Sequence, residues 1–490
     1  MGDDSFAACI VGIGLMFRDS GDQPRLPLSE TPPRPTVATA TSAFPTLAAA
    51  VRTQIDMAAT SHNHANYQAR LDFVQNLLHE RFSLKENAEI TPIQYDPKCP
   101  FKYNNFVYRI SLPVPITANQ ATKDEPQQPG CVPIPDGTRE LIFRLTNPDT
   151  EGMNQTTRVE NEVATIALAS AALAGFVPHV VPSVYAWGSA AIESSQGWII
   201  QELMPGAPVD ESFDAMDLEQ KRQIFAQMAK LLKSLQDYEL PESIASFGGV
   251  TFDDTGRPIS TAMTSVGAGP WSSYEASFKG RLEVALQKAD ANPYIKGWRA
   301  NGVRQRLDAF VERGVPAQFE ALGSKQDRVI IHADFTANNL LFDAISGRIT
   351  ALIDYDFACV SHPSYEFLRS FDGAGGQFRG WSSGEASEDM TVREAKLHGF
   401  PSPLPPATKD GVKWDVMKAW EDELEKLDVK RPRNIPGIDK VADVDTILRT
   451  ILPWRVSNSD ILRLQSEEVI IKCRNENEEQ LVRLLSHLGF

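Results

Sequence analysis

The spacing of hydrophobic positions changes along this chain, and each change marks an element. Leu71, Val74, Leu78 and Phe82 recur at helical spacing and predict a helix over Leu71 to Phe82. Phe106 to Leu112 (FVYRISL) and Glu140 to Leu145 (ELIFRL) are rich in β-branched and aromatic residues with partial alternation, the pattern of strands. A helix is predicted over Arg158 to Leu173, and a strand running into a turn over Trp198 to Gly206 (WIIQELMPG). Asp217 to Leu235 is strongly amphipathic, with Phe225, Met228, Ala229, Leu232 and Leu235 on one face and a capping pair, Asp217 and Gln220, at its start. Further on, the apolar runs Leu340 to Phe342 and Ile349 to Ile353 flank a polar turn with Ser346 and Gly347, which predicts a β-hairpin. Helices are expected at Trp414 to Leu427, Val444 to Leu452, Ile461 to Cys473 and Glu478 to Leu488. Residues 1 to about 65 are rich in Pro, Ala, Ser and Thr with little periodicity, and read as a disordered or loosely attached extension.

The hairpin carries the chain's chemistry, in RVIIHADFTANNLLFDAISGRITALIDYDFA from Arg328 to Ala358. In the simplest antiparallel register Leu340 faces Ile353, so Asn339 faces Asp354 and two oxygen ligands sit side by side. Mg²⁺ takes oxygen ligands in octahedral geometry and needs only one or two protein groups, leaving places for phosphate oxygens and water. Asp334, five residues before Asn339 in the loop leaving the strand Arg328 to Ile331, is a carboxylate placed to accept a hydroxyl proton. His332 is expected to buttress that loop. For Asp356 two readings stay open, an approach to the metal or an outer carboxylate.

Protein kinases divide the labour in the same way, with a catalytic-loop Asp, an Asn five positions on and a later Asp on the metal. The glycine of their Asp-Phe-Gly motif is missing here, where the chain reads Ile353-Asp354-Tyr355-Asp356-Phe357, and His-Ala-Asp replaces His-Arg-Asp. In these features the chain resembles the aminoglycoside phosphotransferase and choline kinase-like family, and in Phe247 to Pro258 (FGGVTFDDTGRP), expected to be a small hairpin, its fungal-type members. The resemblance spans roughly Leu71 to Phe371. It implies an α+β, protein-kinase-like fold with a small β-rich lobe (66–206) ending in a hinge and a larger, mainly helical lobe (207–490). It also implies transfer of the γ-phosphoryl group of ATP, with Mg²⁺, to a hydroxyl of a small molecule. Asp334 would be the base and Asn339 and Asp354 the metal ligands. Arg144 stands where the family has a phosphate-binding lysine, with Glu162 as its helix partner and Glu160 as the rival. Gln201 would be the gatekeeper beside the adenine, which the Glu202 carbonyl and Met204 amide would face. Tyr95 to Asn105 sits where a phosphate-covering loop belongs, yet has no glycine. Past the metal loop the family builds its acceptor pocket. Gly373 to Glu388 reads there as a lid, and Trp271, Trp381, Trp414 and Trp454 as core or lining.

Composition narrows the setting. The 490 residues are 42% hydrophobic, enough to fill a two-lobed core. A formal net charge of −16 argues against a nucleic-acid partner and permits a cationic substrate. No apolar run is long enough to span a bilayer, and Asp3 and Asp4 stand where a secretory signal needs basic residues. The five scattered cysteines show neither disulfide nor zinc spacing, which fits a reducing, cytoplasmic setting. A protein kinase is disfavoured because no Ala-Pro-Glu segment follows. Arginine in place of lysine and the glycine-free loop keep a second reading in view, a nucleotide-binding pseudokinase with a scaffolding role.

Overall fold

Alternating burial along Asn105–Ser111 and continuous burial along Glu140–Thr146 place these strands in the middle of a sheet. The computed structural model describes residues 62–96, 99–117, 127–191, 196–371, 376–382, 387–406 and 411–490. Its first unit is a five-stranded, wholly antiparallel sheet. The strands are β1 (Glu89–Pro92), β2 (Asn105–Ser111), β3 (Glu140–Thr146), β4 (Val184–Gly188) and β5 (Trp198–Glu202), in spatial order β1-β2-β3-β5-β4. Helix α1 (Tyr67–Phe82) covers one face, packing Val74, Leu78 and Phe82 on Phe106, Tyr108, Leu141, Phe143 and Ile200. Period-two alternation then puts Val107, Arg144 and Gln201 on the opposite face. Helix α2 (Arg158–Ala172) carries Glu162. The edge strands β1 and β4 are short and were missed in the sequence, where neither shows a run of alternating apolar residues.

The second unit is mainly helical, as the resemblance predicts. Helix α3 (Leu218–Asp237) begins at the expected capping box: Gln220 N donates to Asp217 and the Asp217 amide donates back to the Gln220 side chain. Around it lie α4 (Tyr274–Ala291), α5 (Ser364–Arg369), α6 (Trp414–Lys426), α7 (Ile438–Ile451), α8 (Ser459–Leu464) and α9 (Glu467–His487). The two helices predicted over Ile461 to Leu488 are divided elsewhere: the chain breaks at Gln465 and Ser466, where Ser466 caps α9 by accepting from Val469 N. The stretch Phe247 to Pro258 enters the expected hairpin, Gly249–Phe252 against Pro258–Thr261, with Asp253 as its turn residue. The predicted extension lies outside the described residues up to residue 61, as does much of the predicted lid. Among the described residues, no helix is long and apolar enough to cross a membrane.

Candidate active site

The hairpin at the heart of the site forms between Leu340–Asp343 and Arg348–Leu352, but its register corrects the expected one. Leu340 faces Leu352, and a bulge around Thr350 shifts the pairing between Leu341 and Phe342. Asn339 therefore meets Ile353, whose amide donates to its carbonyl at 2.9 Å, and Asp354 begins the next turn. Asp354 adopts a left-handed backbone, φ 65°, which turns its carboxylate out of strand alternation.

Asp334 and Asn339 are joined directly. The Asn339 Nδ2 donates to Asp334 Oδ2 at 2.8 Å and to the Asp334 carbonyl at 2.9 Å, while Asn339 Oδ1 accepts from Asn338 at 3.1 Å. Asp334 is buried and its Oδ1 has no hydrogen-bond partner. Burial, and then the negative charge of Asp354, push its carboxyl well above the usual range. The loop is held from behind by residues outside the motif. Glu366 of α5 accepts from the amides of His332 (2.7 Å) and Ala333 (2.9 Å), and its neighbour Ser370 accepts from Phe335 N at 2.9 Å. This clamp fixes Ala333 at φ 62°, a strained backbone for a residue with a Cβ. His332 has the buttressing place expected of it. Its Nε2 donates to the Ile353 carbonyl at 3.0 Å and its Nδ1 accepts from Asp334 N, so it ties the catalytic loop to the metal loop. Burial drops its pKa to about 4, leaving the ring neutral.

Across the cleft, Arg144 donates to Asp354 at 2.8 Å and lies 3.2 Å from Glu162 and 3.5 Å from Asp356. Glu162, and not its rival Glu160, is the helix partner brought to Arg144. Asp356 is fully enclosed: Arg158 reaches both its oxygens at 3.4 Å, and Asn105 donates at 2.6 Å. Asn105 is thereby committed to Asp356, away from the phosphate-covering role open to it in the sequence. Arg158 and Asn105 had no motif to mark them. Glu162, Asp354 and Asp356 bring one oxygen each within 4.8 Å of one another. Burial raises the Glu162 carboxyl against the pull of Arg144. For Asp356, burial is outweighed by Arg158 and Arg144, which hold it low. Asp354, about a third exposed, is the carboxylate of the three that solvent reaches. Oxygens of this kind suit a hard divalent cation such as Mg²⁺, and Asn339, whose backbone pairs with Ile353 next to Asp354, offers an amide oxygen of the same type.

The described parts of the link between β1 and β2, residues 93–96 and 99–104, contribute Ile93, Gln94, Tyr95, Tyr103 and Asn104 to an open cleft that Arg144, Asp354 and Asp356 also line. In place of glycine flexibility the link is docked on the C-terminal helices. Phe101 stacks on Trp454 at 6.0 Å, Lys102 N donates to Asp460 at 2.8 Å, and Arg463 donates to the Pro100 carbonyl at 2.7 Å. At the hinge, Gln201 shares the cleft face of the sheet with Arg144, and its Oε1 is buried without a partner. The Glu202 side chain accepts from His179 at 2.8 Å and from Ser183 N at 3.1 Å, and Met204 is buried. Two of the candidate tryptophans pack on other rings: Trp381 stacks on His487 at 4.3 Å and Trp414 meets Phe400 edge-on at 6.2 Å.

A second open cavity lies beside the Asp334 loop and touches Ala333 and Phe357. Arg281, Lys288, Arg369 and Arg449 line it, four cations scattered over three helices that no sequence motif connects. The negative balance of the whole chain does not extend to this wall.

The model of the phosphotransferase enzyme family (APH) matches residues 134–408, more than half of the chain and including both loops. No curated protein matches. Among solved structures, the chain is similar to ADP-bound aminoglycoside phosphotransferase APH(2″)-Ib, at 13% identity over 84% of this chain and 98% of that one, TM-score 0.44. It is similar to the streptomycin–ATP complex of APH(2″)-IIa, at 12% identity over 84% and 97%, TM-score 0.44. It is also similar to Plasmodium vivax ethanolamine kinase, at 11% identity over 92% and 96%, TM-score 0.43. On the family match, the chain belongs to the phosphotransferase enzyme family and is, by class, a small-molecule kinase.

Proposed function

We propose that the protein transfers the γ-phosphoryl group of ATP to a hydroxyl of a small molecule, with Asp334 as the base. The observation that carries this reading is the buried Asp334 carboxylate, one oxygen held by Asn339 and the other without a partner, in a loop tied by His332 to the Asp354 turn. The acceptor hydroxyl would hydrogen-bond to the unpartnered Oδ1 and give up its proton to Asp334 as its oxygen bonds to the γ-phosphorus. The bond from that phosphorus to the β-γ bridging oxygen breaks, and ADP leaves. Asn339 keeps Asp334 in one orientation, and Glu366 keeps the loop from relaxing. Asn339 and Asp354 would hold Mg²⁺, which when bound offsets the phosphate charge. Arg144 with Glu162 would face the nucleotide phosphates. Gln201, the Glu202 carbonyl and the Met204 amide would border the adenine.

Nucleotide binding without turnover, the pseudokinase reading, draws on the Arg144 to Asp354 contact, which occupies a metal-ligand carboxylate. An intact base argues for chemistry. The test is ADP release from ATP and Mg²⁺ across hydroxylated small molecules, by the full chain and by Asp334→Asn. Turnover in the former, with nucleotide binding but no turnover in the latter, is expected; undiminished turnover in Asp334→Asn would refute the assignment of the base.

A further inference from the structure

The cavity beside Ala333 has polar walls of one sign. Arg281 comes from α4, Arg369 from the end of α5, Arg449 from α7, and Lys288 stands exposed at the rim. Among the described residues no carboxylate lines it. One lies beneath, Asp445, which takes Arg449 Nε at 2.7 Å and meets Arg369 at 3.4 Å and Arg281 at 3.5 Å. Burial raises the Asp445 carboxyl, yet the three guanidiniums together draw it down to about 2. That single charge does not balance the group. Arg369 Nε is buried with no acceptor, and Lys288 has no ion pair among the described residues. The guanidiniums are also held in place: the Tyr365 ring lies between Arg281, at 5.0 Å, and Arg369, at 5.4 Å.

Clustering buried cations around too few carboxylates is costly, and the cost is recovered when an anion enters. Guanidiniums fork their hydrogen bonds toward carboxylate and phosphate oxygens, whereas an ammonium-bearing ligand meets like-charge repulsion here. Resting on the phosphotransferase reading above, we propose that the acceptor is a hydroxylated small molecule carrying an anionic group, a carboxylate or a phosphate. Arg281, Arg369, Arg449 and Lys288 bind that group while its hydroxyl faces Asp334. Amino-sugars and amino-alcohols, the cationic class the overall charge permits, are disfavoured by the same residues.

The test measures, by thermal shift on the full chain, the affinity of two size-matched sets whose members differ in charge, with Mg²⁺ and ADP saturating so that anions are kept from the nucleotide site. The sets are gluconate, glucose and glucosamine, and glycerate, glycerol and serinol. Gluconate or glycerate is expected to bind more tightly than its neutral and cationic counterparts. Lys288→Gln, a surface change, is expected to weaken that binding roughly two- to fivefold, and Arg369→Gln more than about tenfold. Equal responses across the three charges, including none at all, overturn the inference, as does an anion preference that Lys288→Gln and Arg369→Gln leave intact. An anion preference carried by these residues in a protein that does not respond to Mg²⁺ and ADP would support the pocket and sink the phosphotransferase reading instead.

Discussion

Arg144 reaches across the cleft to bond Asp354 at 2.8 Å while holding Glu162 at 3.2 Å, so one buried guanidinium joins the sheet, helix α2 and the Asp354 turn. All three contacts run through one nitrogen, Nη2, while the buried Nε has no partner. Arg144→Ala strands buried Glu162 and weakens the hold on Asp356. It is expected to destabilise the fold by about 3–5 kcal/mol in urea unfolding. A loss below about 1 kcal/mol would mean the cluster is not held by this residue.

Asp334→Asn keeps the shape of the side chain and removes the proposed base. The expected result is a fall in kcat of roughly 10²–10⁴-fold with KM for ATP little changed. A large rise in KM with kcat preserved would instead make Asp334 a binding group.

Glu366 ties pH to stability. Burial lifts its carboxyl to about 7 in the folded protein, although the amides of His332 and Ala333 and the Ser370 hydroxyl pull it down. The unfolded chain titrates near the ordinary glutamate value, so across the interval from about 4.3 to about 7 the folded state binds the extra proton. The stabilisation is therefore full below that interval and lost as pH rises through it, by no more than about 4 kcal/mol. Glu366→Gln stays neutral throughout, so its stability relative to the parent should climb between pH 5 and pH 8. A difference that is flat with pH contradicts this assignment.

Helix α3 depends on its first residue. Asp217→Ala removes the side-chain acceptor of the Gln220 amide and is expected to cost about 1 kcal/mol, read from the denaturant midpoint. No change in the midpoint would show that tertiary packing alone holds the helix start.

Local chemistry made much of this legible in the sequence. His332, Asp334, Asn339 and Asp354 lie within one short stretch, where spacing and strand pattern constrain them, and the Asp217 and Gln220 cap is a local rule. The hairpin register was not legible, because a bulge at Thr350 leaves no unambiguous sign in apolar alternation. Residues that act from a distance were equally hidden. Glu366 clamps a loop more than thirty positions away, and Arg158 and Asn105 reach Asp356 from nearly two hundred positions or more. The basic cavity assembles from residues 281, 288, 369 and 449, and net charge, an average over the whole chain, pointed to the opposite sign. Only tertiary packing brings such groups together.

The most direct test of the account is nucleotide binding by thermal shift, with ATP and Mg²⁺ added separately and together, on the parent chain and on Asp354→Ala. A rise in Tm that needs both ligands in the parent and is lost in the variant is expected. A Mg²⁺-dependent shift of equal size in Asp354→Ala, or no shift in the parent at saturating ATP and Mg²⁺, would contradict it.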